Sequence, residues 1–390
     1  MTSWEKYKLG DICDLVAGFA FKSKDFGDYP DKVIKIADIQ PPTVNINDLV
    51  GVNLSAYNPS KLQKFIVSKG DYVLAMTGAT IGKLGRITNE VEAYINQRVL
   101  TFRPNESIVD KDYLYYQLYS VNFSKYILNH IDSETAQPNI SAGSIGGFKI
   151  SLPSLEEQRR IAGILGAIDD KIECNLRINS NLESQAQALF EKWFVNDIAQ
   201  TTKYNKVALT DIANYLNGLA MQRFRPKDDE KGIPVLKIKE LGQSSCDSTS
   251  DLCSPSIDDK YIIDDGDIIF SWSGTLLVDI WCGGTCGLNQ HLFKVTSDKY
   301  PKWFVYYWTR HHLAKFIRIA KDKAVTMGHI KRSDLENSEV LVPDGLLLEK
   351  YDNMMSPIFN AIISNRIENR NLATLRDTLL PKLMNGEIKL

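Results

Sequence analysis

Several things are scarce in this sequence, and each scarcity excludes something. Six cysteines among 390 residues are too few for a disulfide framework and point to a reducing, cytoplasmic setting. Four of them, Cys246, Cys253, Cys282 and Cys286, are the one cluster to weigh as a metal site. Cys282 and Cys286 could form one zinc knuckle, but six residues separate Cys246 from Cys253, so buried free thiols are expected. No apolar run approaches the length that crosses a bilayer, and the opening "MTSWEKYKLGDICDLV" has no signal-peptide core. A formal net charge of −2 leaves no bulk positive field for nucleic acid. It leaves room for local basic patches, and "RHHLAKFIRIAKDKAVTMGHIKR" (310–332) is one, following the aromatic run "WFVYYW". Enzyme signatures are missing too: there is no Gly-x-Ser-x-Gly, no His-Glu-x-x-His and no Gly-x-Gly-x-x-Gly. The five histidines are few, and acidic pairs such as Asp169-Asp170 and Asp264-Asp265 read as solvated.

What is present at first suggests a phosphate loop. "MTGATIGKLGR" (76–86) approaches a Walker A motif, but only three residues separate Gly78 from Gly82, and Leu84 stands where a metal-binding hydroxyl belongs. The stretch then recurs without its remaining loop features. "GDYVLAMTG" (70–78) returns as "GDIIFSWSG" (266–274), which continues "TLLVDIW" with neither the second glycine nor the lysine. The repeated feature is a Gly-Asp turn, an apolar strand and a hydroxyl-Gly pair. A nucleotide cradle is not.

This recurrence is one block of a duplication. "GDICDLVAGFAFK" (10–22) returns as "TDIANYLNGLAMQ" (210–222), and "VIKIADI" (33–39) as "VLKIKEL" (235–241). "INQRVLTF" (95–102) returns as "LNQHLFKV" (288–295), "YLYYQL" (113–118) as "FVYYWT" (304–309), and "FKISLP" (148–153) as "SEVLVP" (338–343). Short β-rich runs mixed with helical spacing over 113–128 and 302–319 make each copy an α+β domain of ordinary size.

A different kind of sequence follows each copy. Ile161, Leu165, Ile168, Ile172, Leu182, Ala186, Leu189 and Trp193 step by fours and threes, the seam of a coiled coil, with Asn175 and Asn179 filling the gap. At a constant offset of 190 the seam returns as Tyr351, Met355, Ile358, Ile362, Asn365, Asn369, Leu372, Leu379 and Leu383, with Arg376 as the misfit. Two helices of some forty residues would each be roughly 60 Å long. Each needs a partner for its half-apolar face, and the chain supplies one of each. Paired asparagines in a seam cost stability and fix register. Pro357 should kink the second helix or mark its start, and Pro381 should end it before Gly386.

The expected organisation is therefore a domain over 1–153, a helix over 154–197, a second domain over 198–343 and a second helix over 344–390. The architecture would be pseudo-two-fold, with two domains carrying curved sheets joined by an antiparallel coiled coil. Two diverged modules held a fixed distance apart suit a rod-like ligand carrying two short targets, and duplex DNA is the obvious candidate.

With "MTGATIGKLG" (76–85), "LNQHLFKV", "QPNIS" (137–141), "ISLPSLEEQRRIAGIL" (150–165) and "LLPKLMNGEIKL" (379–390) in this order, the whole chain resembles the specificity (S) subunit of a type I restriction-modification system. The resemblance implies two target recognition domains, each reading half of a bipartite DNA sequence, with the paired helices setting the spacer. It implies a non-catalytic chain without cofactors of its own. Two methyltransferase (M) subunits and restriction (R) subunits would complete an adenine-specific methyltransferase and an ATP-dependent endonuclease. S-adenosylmethionine, ATP and magnesium would belong to those partners.

DNA contacts would come from polar groups near the repeated turns. In the first domain these are Lys22, Lys24, Thr77, Thr80, Lys83, Gln97, Arg98 and Asn139. In the second they are Gln222, Arg223, Arg225, Ser271, Ser273, Gln290, His291, His329 and Lys331. Gln and Asn suit adenine edges and Arg suits guanine. "MGHIK" (327–331) departs from "QPNIS", which makes His329 and Lys331 the local candidates there. Two other readings stay open: the specificity subunit of a restriction class whose partner fuses methyltransferase and nuclease, and a protein-binding scaffold that touches no DNA.

Overall fold

The computed structural model describes residues 4–132, 138–196, 204–322, 329–388 and 390. Two compact units emerge, one of residues 1–168 with 375–390 and the other of residues 169–374. Each is a globular copy with segments of both long helices packed on it.

In the first unit a six-stranded sheet carries the strands Cys13–Ala17, Val99–Pro104, Tyr72–Ala75, Leu84–Arg86, Thr43–Val44 and Ile39–Gln40, in that order. A second sheet orders Val50–Val52, Phe26–Ile34, Glu92–Ile95 and Ile66–Ser68, with Glu92–Ile95 parallel to Phe26–Ile34. The second unit repeats both. Asn214–Asn217, Leu292–Thr296, Ile268–Ser271 and Leu277–Ile280 form one sheet. Leu252–Cys253, Ile233–Leu236, Cys286–Leu288 and Ile262–Ile263 form the other, again with a central parallel pair. The hairpin Ile39–Val44 is extra to the first copy; the second has the helix Ile238–Gln243 at that point of its chain.

The duplicated central strand shows why its residues are apolar throughout. Tyr72 and Leu74 face the core beneath the helices, while Val73 and Ala75 face a second core between the sheets. Ile268 and Phe270 likewise face one core and Ile269 another. A strand buried on both faces reads as a continuous run. The turn before it is also shared. Gly70 and Gly266 both sit at φ +85°, a conformation that favours glycine. Asp71 accepts from the Ser68 N–H (2.9 Å) and pairs with Lys111 (2.7 Å) and Arg103 (3.0 Å). Asp267 accepts from the Asp264 N–H (3.0 Å) and pairs with Lys294 (2.8 Å).

The central helix spans Leu155–Glu191 and ends in a π-helical turn, Lys192–Asn196. Its start is pinned by the buried Gln158, which donates to the Ile108 and Pro153 carbonyls and accepts from the Asp110 N–H. The C-terminal helix spans Gly345–Met384. Within the second unit the two run antiparallel. Asn175 donates to Asn369 (2.9 Å) and Glu368 (2.7 Å), and Asn365 donates to Asn179 (2.8 Å). Asn179 donates to the Ile362 carbonyl (3.1 Å) and Asn369 to that of Ile172 (3.3 Å). Adding 190 to one pair of these contacts generates the other, so the polar network is itself two-fold.

Several expectations change. The run 113–128 is two helices, Lys111–Tyr119 and Val121–Asn129, because Ser120 takes an extended backbone and its hydroxyl caps Phe123. The second copy has one continuous helix, Lys302–Asp322. Neither proline ends the C-terminal helix. Pro357 lies inside it, and the chain passes Pro381 to Met384, where Gly386 (φ +69°) follows. Each proline forfeits one backbone bond, while buried Phe359, Leu380, Leu383 and Met384 hold the flanking turns. The seam also widens toward its ends: Phe190, Phe194, Phe359 and Leu380 are buried beside half-buried Leu189, Trp193, Ile358 and Leu379. A straight helix drifts off a seven-residue repeat, and each domain covers the shifted face. Arg376 is buried with its guanidinium 4.9 Å above the Tyr119 ring, donating to that hydroxyl (3.1 Å).

Among the described residues no helix is long and apolar enough to cross a membrane.

Candidate nucleic-acid interface

The candidate residues fall on three backbone segments that converge in each copy. In the first domain the hydroxyl-Gly turn after the central strand meets the segment before a short helix. Thr77 bridges Asn139, Gly78 donates to the Pro138 carbonyl (3.0 Å), and Ile140 donates to Met76 (3.0 Å). The Met76 N–H also donates to the Arg98 carbonyl (2.9 Å), which brings in the Asn96–Arg98 turn. Lys83 joins through its carbonyl, which accepts from the Ala75 N–H (2.9 Å). Thr77, Thr80, Lys83, Gln97, Arg98 and Asn139 thus share one neighbourhood. Lys83, Gln97 and Arg98 are exposed in it, and Thr80 and Asn139 are half-buried.

The second domain builds the same knot from different side chains. Ser273 bridges His329, Ile330 donates to Trp272 (3.2 Å), and Trp272 donates to the His291 carbonyl (3.4 Å). His329 therefore occupies the place of Asn139, and His291 that of Arg98. The Ser273 hydroxyl lies 3.0 Å from Nδ1 of His291, and the Gln290 amide nitrogen lies 3.3 Å from its Nε2. Trp272 stands between His291 and His329, with each ring centroid 6.2 Å from its own.

Two candidates are committed to the fold. Ser271 has no exposed surface, and its hydroxyl donates to the Ser273 (3.2 Å) and Thr275 (2.8 Å) carbonyls, closing the turn. Thr77 is also buried, and its carbonyl accepts from the Thr80 hydroxyl (3.1 Å). Lys331 is exposed at the start of the helix Arg332–Glu336, its N–H donating to Asp334 (2.8 Å).

A second group in each domain lies on the loop after the first sheet strand. Gln222 and Arg225 line a cavity of about 130 Å³ with Lys237, Asp251 and Asn289, and Arg223 is exposed beside it. Lys22 and Lys24 are exposed on the corresponding loop, over the packed rings of Phe19, Phe21 and Tyr57. This loop is tied to the knot in both copies. Phe19 bridges Asn96 and Leu219 bridges Asn289, and a Cβ on Gly18 or Gly218 would lie 2.3 Å from the bridging asparagine's carbonyl oxygen. Only glycine fits there.

Asn96, Asn289 and Trp272 were not among the candidates. The asparagines recur in "INQR" and "LNQH", so a signal existed: each carboxamide oxygen accepts from the turn, Asn96 from Gln97 (3.0 Å) and Asn289 from His291 (3.3 Å). Trp272 stands where the first copy has Met76, and no spacing rule marks it.

The basic run is less free than its composition implies. His312 is buried with Nε2 2.9 Å from the Glu339 carbonyl, and burial lowers its pKa to about 4. Lys315 donates to the Asn337 carbonyl (2.8 Å), and Arg310 to the Tyr306 hydroxyl (3.2 Å). Residues 323–328 of this run lie outside the described residues, as do Gln137, Met327 and Gly328 of the two motifs and the boundary at 197–198.

The four clustered cysteines are free thiols in apolar surroundings. Burial raises Cys246 and Cys282 to about 11 and Cys286 further, where a metal ligand would need the thiolate. Among the described residues no three His, Cys, Asp or Glu side chains are grouped to hold a metal ion.

Comparison with known proteins agrees with this duplicated plan. The family model described as type I restriction modification DNA specificity domain matches residues 1–184 and again 202–372. The MjaIX specificity subunit of Methanocaldococcus jannaschii is 26% identical, covering 95% of this chain and 96% of its own. The HindI specificity subunit of Haemophilus influenzae is 23% identical over the full length of both. Among solved structures, the type I restriction-modification S subunit from M. genitalium aligns with a TM-score of 0.62 at 15% identity. That alignment covers 97% of this chain and 96% of the other, a likeness of fold.

Proposed function

The chain belongs to the type I restriction modification DNA specificity family, and from that premise we propose that it is the non-catalytic, cytoplasmic sequence-specificity subunit of a type I restriction-modification complex. Each domain reads one half of a bipartite duplex target, and the helices set the spacer. Two M subunits supply adenine methylation with S-adenosylmethionine, and R subunits supply ATP- and magnesium-dependent cleavage. The observation that carries this reading is the repeated knot, built on one backbone plan with different polar groups. Arg98 and Asn139 occupy the positions of His291 and His329.

Arginine pairs two donors with guanine O6 and N7, asparagine matches an adenine edge, and imidazole offers one donor or one acceptor. The two halves of the target should therefore differ in sequence. Ser271 and Thr77 shape the turns in this scheme, and the exposed Lys22, Lys24, Arg223, Arg225 and Lys331 contribute phosphate contacts.

Methylome sequencing of a host carrying the M subunits with an Arg98→Ala chain tests the assignment. One base of one half-site should relax, at a cost of about 1–3 kcal/mol of discrimination, and the other half-site should be untouched. Equal loss at both half-sites by a folded chain removes Arg98 from direct readout. A heptad inserted between Leu182 and Ala186 tests the spacer. It adds ~10 Å of helix and should add about three base pairs between the half-sites. An unchanged spacer in an active complex defeats the ruler, and insertion of two residues, which turns the seam away, should abolish assembly.

A further inference from the structure

One cavity of the first unit is not used by the reading above. A groove of about 690 Å³ lies between the loop Ile81–Leu84, the interrupted helices around Ser120 and the end of the C-terminal helix at Leu380, Pro381 and Met384. It absorbs motifs that the function leaves over. Gly82 and Lys83, whose residue types the second copy does not repeat, form one wall, and Pro381, Met384 and Asn385 of the C-terminal motif form another.

The second copy shows what belongs in this place. Lys111 and Lys302 start equivalent helices, since each reaches back to its own Gly-Asp turn. Gln117 therefore corresponds to Trp308 and Ser120 to His311. The constant helix offset of 190 makes Leu380 the counterpart of Phe190, and Met384 that of Phe194. In the second unit these residues are a cluster of rings. Phe190 lies 5.2 Å from Trp308 and 6.0 Å from His311, and Phe194 lies 5.7 Å from Trp308. In the first unit every counterpart is smaller or unringed, and all four line the groove. Aromatic volume that one domain supplies to itself is missing from the other.

We propose that this groove receives an aromatic side chain, tryptophan or phenylalanine, presented by a partner polypeptide. Its rim carries one cation, Lys83, and one anion, Asp377, and so offers no net field to nucleic acid or to an acidic ligand. Gln117 and Ser120 line the groove with their protons already given to the Tyr113 hydroxyl (2.8 Å) and the Gln117 backbone carbonyl (2.6 Å). What Gln117 offers there is a carboxamide oxygen, an acceptor suited to an indole N–H. The apolar surface continues past the cavity onto Val121 and Leu128, which are 67% and 64% exposed. Such a strip outside the hole is more than a free ring would cover and matches a chain lying across the mouth. The site shares only Lys83 with the candidate DNA-reading neighbourhood, and its test leaves that residue unaltered.

The test uses the full chain with methyl-labelled Ile, Leu and Met and follows Ile81, Leu84, Leu380 and Met384 by NMR. N-acetyl-tryptophanamide should shift these signals saturably, and N-acetyl-glycinamide should not. Gln117→Trp with Leu380→Phe restores the rings of the second copy and should abolish the shifts. Free indole serves as a second probe, and Val121→Ser with Leu128→Ser, at exposed positions that folding does not need, should weaken the peptide probe N-acetyl-tryptophanamide roughly tenfold and leave indole unaffected. No saturable shift in the unaltered chain, or shifts that survive the filled variant, would overturn the site. Indole binding as tightly as the peptide probe, with no effect of the serine pair, would overturn the polypeptide occupant.

Discussion

The two domains share a backbone plan but are fastened to the helices by different physics. In the second unit Arg366 donates to Asp279 (2.8 Å), Glu183 (2.9 Å) and the Ile280 carbonyl (3.1 Å). Arg370 holds Asp265 through two bonds (2.6 and 2.8 Å) and donates to the Cys282 carbonyl (2.8 Å). The helix positions 190 residues earlier are Leu176 and Ser180, and the domain positions answering Asp265 and Asp279 are Lys69 and Gly85. Both sides of the latch are changed together in the first copy. That unit relies on the buried Gln158, on Ile161 and Leu165, and on Arg376 over Tyr119. Duplicates diverge by whole interactions because half of a partly buried ion pair costs more than none of it.

The largest effect expected from breaking this difference follows Arg366→Ala. It strands Asp279 and Glu183, whose side chains are only 19% and 34% exposed, and should destabilise the second unit by about 3 kcal/mol, the lower end for broken buried pairs. Amide hydrogen exchange should then show protection lost over 204–322 and retained over 4–132. Loss shared equally by both copies would mean that the latch is not local.

A pH titration should sharpen the comparison at somewhat smaller amplitude. Burial holds His312 near pKa 4, below the ordinary 6.5 of an unfolded histidine, so the folded second unit binds fewer protons. The stability it contributes is complete above pH 6.5 and is lost progressively as pH falls through about 4, to a total of about 3 kcal/mol at most. The first unit's one histidine, His130, is exposed. His312→Gln should flatten the acid limb measured by hydrogen exchange over 204–322. An acid limb that persists in this variant would place the titrating group elsewhere.

The smallest effect concerns what the copies share. Replacing Asn175 and Asn179 with Leu leaves the Asn365 amide and one Asn369 acceptor without their partners, at a cost of about 1–2 kcal/mol. Replacing all four asparagines removes that penalty and should raise the unfolding midpoint above the parent, while sites with more than one spacer length become methylated. A double variant as stable as the parent would deny the network its part in the seam.

The duplication, the seam with its paired asparagines and the identity of each turn were legible because they are patterns of spacing, and spacing survives without coordinates. Three kinds of fact were not. Ser271 reads as a polar candidate, yet its hydroxyl is consumed by two carbonyls brought to it by the following turn. Pro381 reads as a stop, yet packing of Leu380 and Leu383 carries the helix one turn further. Arg376 reads as a misfit until Tyr119, 257 residues away in sequence, is placed beneath it.

Sequence alone determined that there are two copies, that each is followed by a long helix, and that polar groups recur at matched turns, since these rest on local periodicity. Only the tertiary structure decided that Asn139 and His329 take equivalent bridges in their own copies, that Arg98 and His291 stand beside those bridges, and that the Ser271 hydroxyl is spent on its turn. The first two facts depend on hydrogen bonds between segments tens of residues apart, and no local propensity encodes such meetings.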